Sequence, residues 1–312
     1  MNILRKIALG LFTLWGVSVV TFLLLFWLPK FGPDKKDPTT AIAQAFAGQR
    51  AGDANLENIK RELGLKEPLP VQYGLFVQKA LTNNLKSFRN GDYVFSAIWR
   101  RFPATALLAV TAIAVYLILA IPIALWTAPN AGKPIDNIVL VLCILGISIP
   151  TFWLARLLQH YVGYEAGLFS VGGGANLSNL PLPALTLGIG GAAFYARLLH
   201  ANLRGVMKLD YIRAARARGL NETQVLSKHA LKNALIPAIA VLGLEFASLL
   251  SGLIFTEKVF GWPGIGSLAI DSVMNGDIPM IMGTVLFSAL MVVVANVLVD
   301  VVYRLVDPRV KI

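Results

Sequence analysis

Few side chains in this chain carry charge inside apolar surroundings, and those few are the candidates for chemistry. Glu245 lies in the apolar run 237–256, roughly two helical turns beyond Pro237. A carboxylate there either binds a cationic group, carries a proton, or is a buried acid paired with a neighbouring helix. Arg156 and His160 stand four apart in a second apolar run, hence on one helix face. His160 can titrate or bind a metal, but no His, Cys, Asp or Glu pattern accompanies it, so no metal site is predicted. Asn296 and Asp300 share a face in the last apolar run, with Asp300 near its end as a structural polar partner for a loop arginine. Cys143, the single cysteine, sits mid-run and reads as packing; it excludes an intrachain disulfide.

No catalytic residues are predicted. A His-Glu-x-x-His helix, a Ser-centred nucleophile motif and a Gly-x-x-x-x-Gly-Lys-Ser/Thr phosphate loop are all missing from the sequence. An intramembrane enzyme is therefore disfavoured, and any ATP chemistry has to come from a partner. An ion-coupled secondary transporter working through Glu245 is the rival of a different class. Such folds usually carry inverted repeats, and no convincing repeat is visible.

The elements that must position these residues are apolar spans. Of 312 residues, 56% are hydrophobic and 14% charged, with mean hydropathy +0.66. Residues 7–28 form an uncharged run that spans roughly 33 Å as a helix, enough for a bilayer core. It is too long for a cleaved signal and no small-residue cleavage site follows, so a retained signal-anchor helix is expected. Further spans are read at 104–127, 135–162, 181–200, 237–256 and 280–303. The third should kink at Pro150, and its end, with Arg156, Gln159 and His160, should face water or protein. Gly188, Gly190 and Gly191 in the fourth should permit close helix packing.

The net charge of +11, from 28 Lys+Arg against 17 Asp+Glu, would suggest nucleic acid if it stood alone. Its distribution argues otherwise. Seven cations lie in the loop 201–236 (Arg204, Lys208, Arg213, Arg216, Arg218, Lys228, Lys232), and three follow the last span (Arg304, Arg309, Lys311). By the positive-inside rule the loop and both termini are cytoplasmic. The segment 29–103 is then external, although it too is basic. In it, 55–63 and 72–81 read as short amphipathic helices. Residues 94–101 should lie along the membrane interface, with Phe95, Ile98 and Trp99 towards lipid. Three regions follow: 1–28, the N-terminal end with the first span; 29–103, an external cap; and 104–312, the membrane core carrying the loop 201–236.

Within that loop, Asp210 should cap a helix over 211–218 and Gly219 should end it. Asn221 should cap a second helix, with Gln224 three residues on. The first helix suits either another protein's groove or an anionic lipid surface.

The loop resembles the coupling loop of ABC importer permeases, through Asp210-Tyr211-Ile212-Arg213-Ala214-Ala215-Arg216-Ala217-Arg218-Gly219-Leu220 and His229-Ala230-Leu231-Lys232-Asn233-Ala234-Leu235-Ile236-Pro237. It is most similar to the peptide/nickel branch, and there to the first permease of dipeptide and oligopeptide systems. Further blocks agree: Arg61-Glu62-Leu63-Gly64-Leu65, Pro103-Ala104-Thr105, Ser148-Ile149-Pro150-Thr151-Phe152-Trp153, Leu182-Pro183-Ala184-Leu185-Thr186-Leu187 and Phe260-Gly261-Trp262-Pro263-Gly264-Ile265-Gly266. Arg213 stands where the broad ABC-importer motif has Glu. Lys30-Phe31-Gly32-Pro33-Asp34 replaces the usual run after the first span.

The resemblance implies an all-α integral membrane protein, a six-span type I importer permease bundle in the bacterial or archaeal cytoplasmic membrane. Its implied partners are a homologous second permease, two cytoplasmic ATPase subunits holding Mg-ATP, and an extracytoplasmic solute-binding protein; no cofactor is implied in this chain. The substrate class implied is di- or oligopeptides, with nickel or metal chelates as the alternative. Asp210, Tyr211, Arg213, Ala214, Ala215, Arg216 and Gly219 would couple to the ATPase. Glu245, Arg156, His160 and Asn296 are candidates for the pathway. Trp262, Pro263 and Gly264 would form a turn in an external loop, where they would meet either the binding protein or the interface.

Overall fold

The computed structural model describes residues 3–26, 39–40, 43–44, 56–57, 60–61 and 64–306. Apart from an isolated bridge between Lys86 and Tyr93, the regular structure among these residues is helical. The chain divides into two compact units, residues 1–103 with 264–293, and residues 104–263 with 294–312.

The first unit contains α1 (Ile3–Phe26), α2 (Leu69–Leu81), the opening turns of α3 (Val94–Thr127), α10 (Ile265–Met274) and most of α11 (Ile278–Val306). Pro70 opens α2, where a missing N–H costs nothing. Its Tyr73, Phe76 and Val77 join a core with Phe22, Leu85, Ile98, Met282 and Phe287. Where these side chains lie within the bilayer, close van der Waals packing and not exclusion of water holds them together. Polar ties register the unit. Ser18 and Tyr73 share a hydrogen bond of 2.7 Å. Asp277 accepts from Ser87 Oγ and from Phe88 N at 3.1 Å.

The second unit is built around α6 (Pro181–Val206), the most enclosed of its helices. Around it stand the rest of α3, α4 (Pro134–Ser148), α5 (Thr151–Leu157), α8 (Leu231–Leu250) and α9 (Ile254–Phe260), with α7 (Asp210–Ala217) in the loop. Two of the four glycines in α6, Gly188 and Gly191, do what close packing requires. A Cβ on Gly188 would strike Val115, and one on Gly191 would strike the Tyr116 ring, whereas Gly190 faces open space.

Among the described residues five helices are long and apolar enough to cross a membrane, and a bent pair makes six if its two halves form one span. The span count read from hydropathy therefore stands, but several boundaries move. Residues 94–101 are not a separate interfacial piece; they are the first turns of α3, unbroken through Pro103. Neighbouring groups can absorb the backbone bond that proline forfeits in a membrane helix. Ile98 consequently faces the core at 1% exposure, while Trp99 points outward at 66%.

At Pro150 the third span bends by 98°, a break and not a kink. Beyond it α5 passes into a π-helical stretch, Leu158–Glu165. The fifth span begins at Leu231 and holds Pro237 in its interior; it ends at Leu250, so 251–256 lie beyond it. The fourth extends six residues past His200, to Val206. The helix read at 72–81 starts at Leu69. Of the helix read at 55–63, residues 56–57 and 60–61 are helical and the rest lies outside the described residues.

Candidate coupling loop and translocation path

The loop 201–236 is the best-defined candidate site. α7 is anchored by Ile212 and Ala215, at 0% and 7% exposure, which pack towards the π-helical turn Val225–Ala230. Its other face, with Tyr211, Arg213, Ala214, Arg216 and Ala217, is open. Ala215 therefore anchors the helix and is not part of the surface offered to a partner, a correction to the expectation. Asp210 does not cap α7 either. Leu209 holds that position, and the Asp210 carboxylate instead pairs with Arg213 at 3.2 Å.

The far end of the helix follows the sequence closely. Gly219 adopts φ +85°, and its N–H donates to Arg216 O at 2.9 Å. Asn221 Oδ1 accepts from Gln224 N at 2.8 Å. Across this turn Arg216 grips Glu222 with two bonds, Nε to Oε2 at 3.0 Å and Nη2 to Oε1 at 2.6 Å. That hydrogen-bonded carboxylate holds the Arg216 pKa above its ordinary value. Asn233 Nδ2 donates to the Tyr211 hydroxyl at 2.6 Å, and Asn202 Nδ2 donates to Ala234 O at 3.1 Å. Through these ties α7 is fastened to α8, and α8 to α6. These ties connect the loop helix to two of the spans.

The pathway candidates fall in different places. Glu245 is half-buried on α8 beside the Tyr116 hydroxyl of α3 and within electrostatic reach of Tyr195 on α6. The Tyr195 hydroxyl itself donates to Ala238 O. Arg156 and His160 are exposed and border an open cleft of about 480 Å³ with Gln159, Tyr164 and Val171. Arg156 Nη1 donates to Gln159 Oε1 at 3.1 Å, and His160 pairs with Glu165 at 3.3 Å and stacks on Tyr164. Glu245 does not line that cleft. Asn296 is exposed on α11. Asp300 follows one turn later, and its side chain lies outside the described residues.

Trp262 is 1% exposed, and its Nε1 donates to Ala104 O at 2.9 Å. It is a core residue of its unit, not a surface contact for a delivery protein, because its indole edge and N–H are both satisfied inside. Gly264 is also buried and Pro263 is half-buried. Cys143 is buried, a packing residue in α4.

Two polar clusters escaped sequence reasoning. Glu257, 0% exposed on α9, accepts from Thr105 Oγ1 at 2.7 Å, and its backbone carbonyl accepts from Trp262 N at 2.8 Å. His200 on α6 meets Thr127 Oγ1 at 3.0 Å and the buried Asp136 of α4 at 3.6 Å. Asp136 Oδ2 also accepts from Gly132 N at 3.0 Å. The signal that could have found them is the rule that buried ionisable groups rarely lack a polar partner.

The chain belongs to the family described as the binding-protein-dependent transport system inner membrane component, whose model matches residues 120–312. The companion N-terminal model matches residues 1–109. The family match makes this multi-pass helical chain the membrane subunit of an ABC importer. Among curated relatives, the glutathione transport system permease protein GsiC of Pectobacterium atrosepticum is 37% identical over 313 residues, covering 100% of this chain and 99% of the relative. A putative peptide transport system permease protein of Brucella abortus is 35% identical over 318 residues, covering 99% and 98%. Among solved structures, the inward facing MetNI methionine ABC transporter matches with TM-score 0.58 at 20% identity, over 68% of this chain and 97% of that one. That likeness supports the type I fold alone.

Proposed function

We propose that this permease subunit forms half of a path for short peptides, moved inward at the expense of ATP bound by partner subunits. The observation that carries the reading is the fastened loop. α7 exposes Tyr211, Arg213, Ala214 and Ala217 while Ile212 and Ala215 lock it to the turn below. Two cytoplasmic ATPase subunits dock under the transporter, one of them receiving α7 in a groove. A homologous second permease completes the path, and an extracytoplasmic solute-binding protein delivers the substrate. Mg-ATP is held by the ATPases, and this chain contributes no cofactor. The chain sits in the cytoplasmic membrane with both termini and the loop inside, a reading supported by the basic residues of 201–236. Residues 1–28, 29–103 and 104–312 act as anchor span, external cap and transport core. Closure of the ATPases displaces α7, and the ties to α8 and α6 turn that into alternating access.

The relatives' names, glutathione and peptide permeases, support a peptide substrate over a metal chelate. Glu245, beside Tyr116 and Tyr195, is the group that would meet a peptide ammonium. Arg156 and His160 border the outer cleft and Asn296 lies along α11. The deciding experiment is uptake of labelled di- and tripeptides into proteoliposomes bearing the assembled transporter and its binding protein. Uptake should need ATP and survive collapse of the proton gradient. Uptake that follows the gradient and ignores ATP would overturn the reading.

A further inference from the structure

Between α1, α2 and the start of α11, the first unit lines a half-open cavity of about 220 Å³. Its walls are mostly apolar, with Phe22, Phe26, Leu75 and Phe76 among them, and Lys79 and Lys86 stand on its lining. That volume is below the roughly 300–1,000 Å³ of sites that engulf a whole small ligand. It suits an elongated occupant that inserts one part and leaves the rest in the bilayer.

Three observations bear on the occupant. The first is depth. Phe22 and Phe26 end α1, and Ile278 and Met282 open α11, so the cavity lies at a membrane face. Tyr93, 42% exposed, and Trp99, 66% exposed, mark the same unit with the aromatic pair typical of headgroup level. The second is charge. From residue 68 to 103 the chain carries Lys79, Lys86, Arg89, Arg100 and Arg101 against the single acid Asp92. Asp92 is taken by Arg100 at 3.0 Å, and neither Lys79 nor Lys86 has an ion-pair partner among the described residues. The third is an orphan acceptor. Gln72 lines the cavity; its Nε2 donates to Leu65 O and Glu67 O, and its Oε1 is buried without a partner among the described residues.

We infer that this cavity is a site for an anionic glycerophospholipid whose headgroup carries hydroxyls, as phosphatidylglycerol does. An acyl chain lies among Phe22, Phe26 and Phe76, the phosphate meets Lys79 and Lys86, and a headgroup hydroxyl donates to Gln72 Oε1. The site gives the basic charge of the external segment a partner and seats α2 at the bilayer surface.

Native mass spectrometry of the delipidated, assembled transporter, titrated with palmitoyl-oleoyl phosphatidylglycerol, tests this. Wild type should bind one lipid per permease chain more tightly than the remaining, annular lipids. Lys79→Ala with Lys86→Ala should weaken that event about thirtyfold, from about a fivefold loss per surface lysine. Gln72→Leu should erase the preference for phosphatidylglycerol over phosphatidylcholine. Leu75→Trp, which fills the cavity, should abolish the tight event. The lysine changes keep the test sound if that variant misfolds. Equal binding by wild type and the lysine double variant would overturn the proposal. So would displacement of the lipid by glycerol 3-phosphate alone, which would make this a site for free phosphate.

Discussion

Gly219 is the position where a small change should separate ATP hydrolysis from transport. Its φ of +85° lies in the left-handed region, and no atom stands within 4 Å of where a Cβ would be built. Alanine there pays only the backbone penalty, about 1–2 kcal/mol. Arg216 and Glu222 bracket the turn with a bidentate pair. At 38% and 45% exposure that pair contributes at most about 1 kcal/mol. The turn should survive Gly219→Ala in a weakened form, with uptake reduced a few-fold. Proline cannot follow. Its φ is locked near −65°, and it removes the N–H that donates to Arg216 O. Gly219→Pro must therefore open the turn and free α7 from its fixed angle to α8. Ile212 and Ala215 still hold α7 to the chain, so co-purification with the ATPases should persist. The assay measures ATP hydrolysis and peptide uptake on the same proteoliposomes. Basal hydrolysis should remain while uptake falls at least tenfold. Wild-type uptake by Gly219→Pro would refute the lever.

Gly191→Ala should destabilise the transporter by about 1–3 kcal/mol through its clash with the buried Tyr116 ring, whereas Gly190→Ala should be neutral; thermal unfolding in detergent compares them. Thr105→Val removes the hydroxyl that donates to the buried Glu257 carboxyl. It should cost about 1–3 kcal/mol, read as a lower Tm with peptide selectivity unchanged. Glu245→Gln should lower uptake of peptides with a free amino terminus more than that of N-acetylated ones. An equal effect on both would return Glu245 to a packing role beside Tyr116. Arg216→Ala should lower the uptake obtained per ATP hydrolysed without lowering hydrolysis itself, and a parallel fall in both would place Arg216 at the ATPase contact.

Local chemistry made the loop legible. The glycine after α7, the Asn221 cap and the alternation of buried and open positions follow from rules that act within a few residues. Asp210 deceived because an acidic residue at a helix start can either cap the end or pair one turn along, and Arg213 at i+3 won. Ala215 was misplaced because a small residue looks the same from sequence whether it anchors a helix or meets a partner. Trp262 was misread for a related reason. Trp-Pro-Gly spells a turn, and nothing near it in the chain announces that Ala104 O will accept the indole N–H.

The number of spans and the basic loop are one-dimensional properties. Hydropathy and charge sum along the chain, and a bilayer responds to that sum whatever the neighbours do. The break at Pro150 was visible as a proline in an apolar run, but the 98° bend was not, since its size depends on what the two halves pack against. The pairs that lock each unit were invisible altogether. Thr105 and Glu257 are 152 residues apart, and Ser87 and Asp277 are 190 apart. Whether a carboxyl in such a chain is exposed, paired or inside a path depends on which distant helix lies beside it. Only folding makes that choice, because an unpartnered polar group at depth costs more than any local preference can repay.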